Sequence, residues 1–466
     1  MIDSNNNSIH FEISERKVLL RILDLLFIGL AVYGLSFIPA FDYYSITQDN
    51  WMWVIVLGLY VSGFGTVFEL YDLQKSSKLE TVTTTIILTA SVTVLVFLLT
   101  PFLTPSLPDN RIEILYFYFA ILLALLVCRI AYINFIASPR FYKKVLLVGE
   151  ISNIETIVEA FKSADPNYKI IGFINCEIAK EDAIKFKGIP EYSPDDIHKI
   201  IKEEQISEVV VASYNSENIT STIYNDLIML LDKGFPIKEY TQVYEDITYR
   251  VPVQFVGKDF YKYFPFSRNN KNKLYLAYRR GLDIALSIIG ILIGCLFLPF
   301  VLIGNLIGNR GPLFYKQERV GKNGNTFLIY KYRTMVVNAE TNGAVWAKKN
   351  DTRITAFGRF LRTSRLDEIP QFINILKGEM SLIGPRPERP VFIEELSQVI
   401  PFYETRHIVK PGLTGWAQVK ARYGSSIDDS LVKLQYDLYY IKHRSFFLDF
   451  NIIVKTLSTV IFLRGQ

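Results

Sequence analysis

Residues 357–387 read FGRFLRTSRLDEIPQFINILKGEMSLIGPRP, from Phe357 to Pro387, and this stretch decides how the rest of the chain is read. Two adjacent carboxylates, Asp367 and Glu368, follow the arginines Arg359, Arg362 and Arg365 and precede a stiff Gly384-Pro385-Arg386-Pro387 turn. Guanidinium forks neutralise and orient phosphate oxygens, while a carboxylate can hold a divalent cation or attack phosphorus, so the grouping suits phosphate chemistry. Phe360, Leu361, Leu366, Ile369, Phe372, Ile373 and Leu376 recur at roughly helical spacing, which places both carboxylates on or beside an amphipathic helix broken near Pro370. Read alone, Asp-Glu before Ile-Pro is also an ordinary helix start, its acidic residues favouring the dipole.

The flanks carry more cations. Gly311 to Gly321 (GPLFYKQERVG) leads through a turn at Asn323-Gly324 into Phe327 to Met335, and both segments read as short strands bearing Lys316, Arg319, Lys331 and Arg333. Lys331 and Arg333 alternate in phase and are expected on one face, as a polyanion pocket requires; Lys316 and Arg319 fit a solvated face equally well. Downstream, Pro390 to Ile400 reads as an amphipathic helix. Arg406, His407, Lys410 and the glycine-punctuated Pro411 to Trp416 follow, a loop whose amides and indole could meet a base or a phosphate. A lone histidine such as His407 is more often structural than catalytic. The aromatic and aliphatic helices from Tyr436 to Phe462 suit a membrane surface or a packed core.

With 466 residues there is room for about three domains. Half the residues are hydrophobic and the mean hydropathy is +0.21 despite 21% charged residues, so apolar sequence is concentrated somewhere. It lies in four runs, about Val18 to Phe41, Trp51 to Tyr71, Val82 to Phe102 and Ile112 to Ile136, each long enough to cross roughly 30 Å of hydrocarbon as a helix. The first run has no cleavage pattern behind it and no basic start, so it reads as an anchor. Arg21 and Asp24, one turn apart, are expected to pair. Arg16, Lys17, Lys75, Lys78, Arg140, Lys143 and Lys144 flank one set of ends, which the positive-inside rule assigns to the cytoplasm. Cys128, Cys176 and Cys295 stand singly and suggest neither disulfides nor a thiolate metal site.

From Lys144 the pattern changes to β-branched runs alternating with polar helical segments. Val145 to Gly149, Ile170 to Ile174, Glu208 to Ala212 and Pro236 to Glu239 read as parallel strands, with helices over Ile151 to Phe161, Pro194 to Glu203 and Ile219 to Lys233. This is a Rossmann-like α/β unit, but its first turn has one glycine and an acidic residue at Gly149-Glu150, unsuited to dinucleotide phosphates. A polar linker around Ser267 to Lys273 follows. Leu282 to Ile307 is then a fifth apolar run, with Arg279, Arg280 and Asp283 before it and Asn309-Arg310 after it. Basic flanks on both sides are awkward for a crossing helix, and Pro299 offers a break, so a helix that enters one leaflet and returns is expected over a fifth crossing.

Taken together, LDEIP, GPRPERP, YKQERVG and YKYRTM make the chain resemble the bacterial polyprenyl-phosphate hexose-1-phosphate transferases, the monotopic phosphoglycosyl transferase superfamily. The resemblance is close from Lys273 to the C-terminus and extends to the architecture of the whole. It implies a membrane protein with a four-helix transmembrane unit (1–140), a Rossmann-like accessory domain (141–245), a linker (246–273), a re-entrant helix (274–308) and a mixed α/β catalytic domain (309–466). The family's break is often at Ser-Pro; here it is Leu298-Pro299.

The same resemblance implies transfer of a sugar-1-phosphate from a UDP-sugar to undecaprenyl phosphate with release of UMP, the first membrane step of exopolysaccharide, capsule or O-antigen assembly. Asp367 is then the nucleophile of a covalent phosphosugar intermediate, and Mg²⁺ is held in part by Asp367 and Glu368. Glu368 either ligates the metal or orients Asp367. Lys331, Arg333, Arg362 and Arg386 become phosphate contacts, and Pro299, Pro385 and Pro387 shape the backbone. The implied setting is the cytoplasmic face of the bacterial inner membrane, compatible with a homodimer and without nucleic acid. Two other readings compete. A membrane-bound nucleotide-sugar dehydratase or epimerase is disfavoured by the missing glycine fingerprint and by the lack of a Tyr-xxx-Lys dyad in the middle domain, the pair Tyr71 and Lys75 lying at the end of the second apolar run. A non-enzymatic scaffold would release no UMP.

Overall fold

A computed structural model describes residues 13–38, 41–44, 50–72, 76, 79–136, 142–150, 157–158, 161, 168–176, 188–212, 219–253, 270, 272–339, 351–421 and 426–461. The chain forms two compact units, Met1–Thr248 and Tyr249–Gln466. The basic residues Lys75, Lys78 and Arg140, most of the helix expected over Ile151 to Phe161 and most of the linker from Ser267 lie outside the described residues.

The first apolar runs are helices: α1 (Ile13–Leu35), α2 (Trp51–Val67), α3 (Leu79–Leu99) and α4 (Ile112–Ala131), the last continuing as a π-turn over Tyr132–Ile136. Among the described residues, the first, third and fourth of these and a later helix are long and apolar enough to cross a bilayer, while α2 is shorter at 17 residues. The chain is a membrane protein. Tyr43, Tyr44, Phe97 and Phe117 pack ring against ring at one end of the bundle, where Glu113 accepts the backbone N–H groups of Asp42 and Tyr43 at 2.9 and 2.6 Å.

The pairing expected between Arg21 and Asp24 is not made. Asp24 instead accepts from Arg129 of α4 at 2.9 Å, with both side chains fully buried, while Arg21 turns to Thr66 and the ring of Tyr71. Inside an apolar bundle, two charges are held most cheaply by a partner that shares the dry environment.

Five parallel strands follow: β1 (Lys143–Gly149), β2 (Tyr168–Asn175), β3 (Glu191–Tyr192), β4 (Glu208–Ala212) and β5 (Ile237–Glu239), in spatial order β3-β2-β1-β4-β5. The four expected strands are present, and the two-residue β3 adds an edge too short to read from sequence. Helices Ile197–Glu203 and Ser221–Asp232 cover it, the second capped where the Thr220 hydroxyl accepts from the Ile223 N–H. Buried Glu208 is held by Lys143 at 2.7 Å, Lys238 at 3.5 Å and the Tyr168 hydroxyl.

The second unit is built on one long helix, α5 (Lys273–Gly304), capped by the Asn272 side chain and extended by a π-turn over Asn305–Asn309. No unwound break interrupts α5 at Pro299. Helical hydrogen bonding runs through the proline, which removes one donor that a bend can absorb, and the pattern changes only at Asn305. Glycines form notches along one face of this helix. Gly290 receives the ring of Phe372, Gly294 the side chain of Ile369, Gly304 the ring of Phe357 and Gly308 the Phe357 Cβ, each so closely that a Cβ would collide. The other face exposes Leu292, Leu296, Leu306 and Ile307 at 65 to 77%.

Polar contacts fix both ends of α5. Arg279 donates to Ser381 Oγ at 2.8 Å, Asp283 accepts from Ser381 Oγ and the Leu382 N–H, and Arg280 donates to the carbonyls of Ile375 and Leu376. At the far end, Arg333 donates to the carbonyls of Pro312, Met335 and Asn309 at 2.7, 3.1 and 3.2 Å. Beyond lie an antiparallel hairpin, β6 (Phe314–Val320) with β7 (Thr326–Tyr332), and a small parallel pair, Ser381–Ile383 with Gly412–Thr414. Helices Ile427–His443 and Phe446–Ile461 close the unit.

Gly290→Leu is expected to destabilise this unit by about 1–3 kcal/mol, the usual cost of overpacking. Leu292→Ala, on the exposed face, is expected to stay within about 0.5 kcal/mol. Thermal unfolding of the two variants in detergent compares them, and equal effects would contradict the notched packing.

Candidate active site

Asp367 and Glu368 lie in a 3₁₀ turn, Leu366–Glu368, entered through Arg365 in the left-handed region at φ 60°. The turn follows helix Ala356–Thr363, whose first N–H groups are capped by the Thr355 hydroxyl, and precedes the short helix Gln371–Lys377. The expected amphipathic helix is thus split in two, and the carboxylates occupy the joint. Pro370 sits there because a residue at a helix start has no N–H to lose. The hydrophobic residues on either side, Phe357 before and Ile369 and Phe372 after, are those that enter the glycine notches of α5.

Both carboxylates are buried, at 7% and 9% exposure, yet their surroundings differ. Glu368 Oε1 meets Arg386 at 3.1 Å and Lys331 at 3.4 Å, and Oε2 lies 3.7 Å from Arg365. Asp367 Oδ1 is buried with no hydrogen-bond partner among the described residues. Burial, reinforced by the Glu368 charge, therefore pushes the Asp367 carboxyl above its ordinary value, against the pull of Lys331, Arg362 and Arg365. Burial works to raise Glu368 as well, but Arg386, Lys331 and Arg365 together outweigh it and hold that carboxyl below its ordinary value. Burial also lowers the Lys331 ammonium to about 8, with Glu368 opposing. The proton affinities of two adjacent carboxyls are thus pushed apart, that of Glu368 downward and that of Asp367 upward.

Arg386 is aimed by its backbone. In the Gly384-Pro385-Arg386-Pro387 turn, the Pro385 carbonyl accepts from the Gly412 N–H at 2.8 Å, that of Arg386 from Arg406 at 3.0 Å, and that of Pro387 from Arg319 at 3.0 Å. Arg406 is itself fixed by Asp437 at 2.8 Å, both buried. Prolines suit such a turn because they bring no donor that would need a partner. Arg319, which the sequence also allowed on a solvated face, is largely buried, and burial lowers its guanidinium to about 10.

Of the expected phosphate contacts, Lys331 and Arg386 converge on Glu368. Arg362 lies beside them with its Nε on the Thr334 hydroxyl at 2.9 Å. Arg333 does not join them: β7 ends at Tyr332, so the in-phase alternation stops one residue short, and the guanidinium is consumed in capping the end of α5. Trp416 is a core residue, 3% exposed, with its indole N–H on the Tyr249 carbonyl, so it does not face the site. Burial, then the nearby Arg406 charge, lowers the His407 imidazole to about 4, and it is neutral at ordinary pH.

One residue that sequence reasoning passed over borders the site. Gln371, 3% exposed, lines a narrow cleft with Arg319, Ile329, Lys331, Arg386, Pro387 and Gly412. Its spacing of four from Asp367, directly after a helix-starting proline, was the available signal.

A hard oxygen-seeking cation such as Mg²⁺ typically uses one or two carboxylates and completes its shell with water and substrate phosphates. The unpartnered Asp367 Oδ1 fits that need, whereas Glu368 already faces three cationic side chains. No cluster of three or more metal-ligating side chains occurs among the described residues.

Residues 274–463 match the family model described as bacterial sugar transferase. The chain is 37% identical over 257 residues to the UDP-N-acetylgalactosamine-undecaprenyl-phosphate N-acetylgalactosaminephosphotransferase of Aeromonas hydrophila, covering 54% of this chain and 59% of that relative. It is 37% identical over 183 residues to the UDP-glucose:undecaprenyl-phosphate glucose-1-phosphate transferase of Escherichia coli, covering 38% and 39% of the two chains. A putative undecaprenyl-phosphate N-acetylgalactosaminyl 1-phosphate transferase of Bacillus subtilis is 47% identical over 144 residues, 30% of this chain and 79% of that relative. With the carboxylate pair, its cations and the membrane helix all inside the matched segment, the chain belongs to the bacterial sugar transferase family.

Proposed function

We propose that the protein transfers a sugar-1-phosphate from a UDP-hexose to undecaprenyl phosphate, giving a lipid-linked diphosphate sugar and UMP. The observation that carries this reading is the division of labour at residues 367 and 368. Glu368 is held by Lys331, Arg365 and Arg386, while the buried Asp367 keeps a carboxylate oxygen without a hydrogen-bond partner among the described residues, in a cation-lined setting beside a lipid-facing helix. The names of the relatives support the same substrates.

In this mechanism an Asp367 oxygen attacks the phosphorus that bears the sugar. The bond from that phosphorus to the bridging oxygen breaks and UMP leaves with the electron pair. An oxygen of the lipid phosphate then attacks the same phosphorus, the bond from that phosphorus to the Asp367 oxygen breaks, and the electron pair returns to the Asp367 carboxylate. Splitting the transfer gives two easier displacements and ping-pong kinetics. A carboxylate with a raised proton affinity is the better nucleophile of the two, and Lys331 and Arg386, anchored by Glu368, meet the phosphate charge without moving. Glu368 is a positioning residue for these cations. Asp367 would hold Mg²⁺, which when bound would supply charge neutralisation for the leaving nucleotide.

We read α5 as re-entrant, lying in the leaflet on the side of the catalytic unit. Its two ends are tied by polar contacts to one compact unit, and its notched face packs on that unit between them, which a helix crossing to the opposite side would not allow. The middle sheet, with its order β3-β2-β1-β4-β5, we read as Rossmann-like and accessory. The site then faces the cytoplasm, where UDP-sugars are found.

Asp367→Asn is expected to abolish UMP release and to leave no phosphosugar on the protein when UDP-sugar carries a radiolabel in the sugar-bearing phosphate. A folded Asp367→Asn protein with full transfer would overturn the nucleophile assignment. His407 is expected to affect stability and not chemistry. Its lowered value means the unfolded chain binds more protons between about 4 and 6.5, so stability rises with pH across that window. His407→Gln should flatten this dependence in pH-resolved thermal unfolding while leaving the rate profile above about pH 6.5 unchanged.

A further inference from the structure

Two amide side chains on the helix that borders the cleft differ in how fully they are used. Asn374, fully buried one turn further along the same helix, gives its amide hydrogens to the Leu328 carbonyl and Glu379 and accepts from the Tyr330 N–H. Gln371 is just as enclosed, but its Nε2 is buried without a hydrogen-bond partner among the described residues. Buried amides in folded proteins are nearly always satisfied, so a vacant one calls for an explanation. The vacant atom is a donor, so whatever completes it must be an acceptor. The cleft it borders is lined by Arg319, Lys331 and Arg386, so that acceptor is an oxygen of an anion.

We infer that Gln371 is a catalytic residue whose carboxamide donates a hydrogen bond to a non-bridging oxygen of the phosphorus attacked by Asp367. This rests on the function proposed above and deepens it. The three cations supply charge that acts from any direction; the amide adds a neutral, directional donor. Such a donor distinguishes one equatorial oxygen from the other as negative charge grows there in the transition state. The amide keeps its proton throughout, and the bonds made and broken are those already described.

The inference predicts a combination that a structural role would not produce. Gln371→Met, similar in length but without the donor, should relieve the unsatisfied amide and raise the melting temperature by about 2–4 °C. The same change should lower kcat for UMP release about 10²- to 10³-fold with little change in KM. With UDP-sugars carrying sulfur at one or the other non-bridging position of the sugar-bearing phosphorus, the wild-type protein should discriminate between the two diastereomers, and Gln371→Met should lose most of that discrimination. Unchanged activity, a melting temperature that falls together with activity, or an unaltered diastereomer ratio in the variant would each overturn the assignment. Wild-type protein that releases no UMP from any UDP-sugar would bring down the function and this inference together. An active wild type with an unaltered ratio in the variant removes the inference alone.

Discussion

The structure of the catalytic unit depends on close packing between a glycine-notched helix and the side chains that flank the two carboxylates. In hydrocarbon, apolar side chains gain nothing by leaving lipid, so association there relies on van der Waals fit at small residues and on a few polar ties. The long helix Lys273–Gly304 uses both. Gly290 and Gly294 take Phe372 and Ile369, which follow Asp367-Glu368, and Gly304 and Gly308 take Phe357 at the start of the helix that precedes them. The joint that carries the carboxylates is therefore pinned to the helix from both sides. Arg279 and Asp283 at one end and Asn309 with Arg333 at the other prevent the helix from sliding along its own axis.

That placement sets the electrostatics. A carboxyl so close to an apolar helix is desolvated, which disfavours its charge, and two side by side cannot both be stabilised equally. The cations resolve this by converging on one of them. Arg386 reaches Glu368 from a turn in which the Pro385, Arg386 and Pro387 carbonyls are clamped, Lys331 from the hairpin, and Arg365 from a left-handed turn residue. Asp367 gains only their distant field. The result is an acidic pair with unequal affinity for protons, produced by geometry outside the pair itself.

Much of this was legible from residue types. Runs of apolar residues longer than about 20 marked the helices, β-branched runs marked the parallel strands, and the carboxylate pair with its surrounding cations marked the site. What escaped depended on distance or on a boundary. Asp24 and Arg129 are 105 residues apart, and nothing local says they meet. Arg333 was placed in the pocket by counting in twos, which fails once the strand stops at Tyr332. Pro299 suggested a break because it cannot donate, yet a long helix tolerates one missing bond. The glycine spacing of the long helix was visible but was hidden inside an apolar run, since its meaning required knowing that Phe357, Ile369 and Phe372 lie opposite. Trp416 looked available to a base and proved to be core, because a glycine-rich loop can bring backbone close as readily as it can admit a ligand.

The distribution of unsatisfied polar atoms carries the reading one step further. Asp367 Oδ1, Gln371 Nε2 and Arg319 Nε are buried without hydrogen-bond partners among the described residues, and all three side chains belong to the same small region of the unit. The layer directly behind them is the reverse: Asn374, Arg406, Asp437 and the carbonyls of Pro385, Arg386 and Pro387 are bonded to protein. Each unsatisfied group lowers stability, so three of them set against a braced layer fit a site that is completed by something that arrives later. Because the braced layer already holds the cations in position, the diphosphate of the proposed donor would meet dipoles that need not reorganise, and the energy released on satisfying the vacant atoms would be directed to the phosphorus that reacts in that proposal.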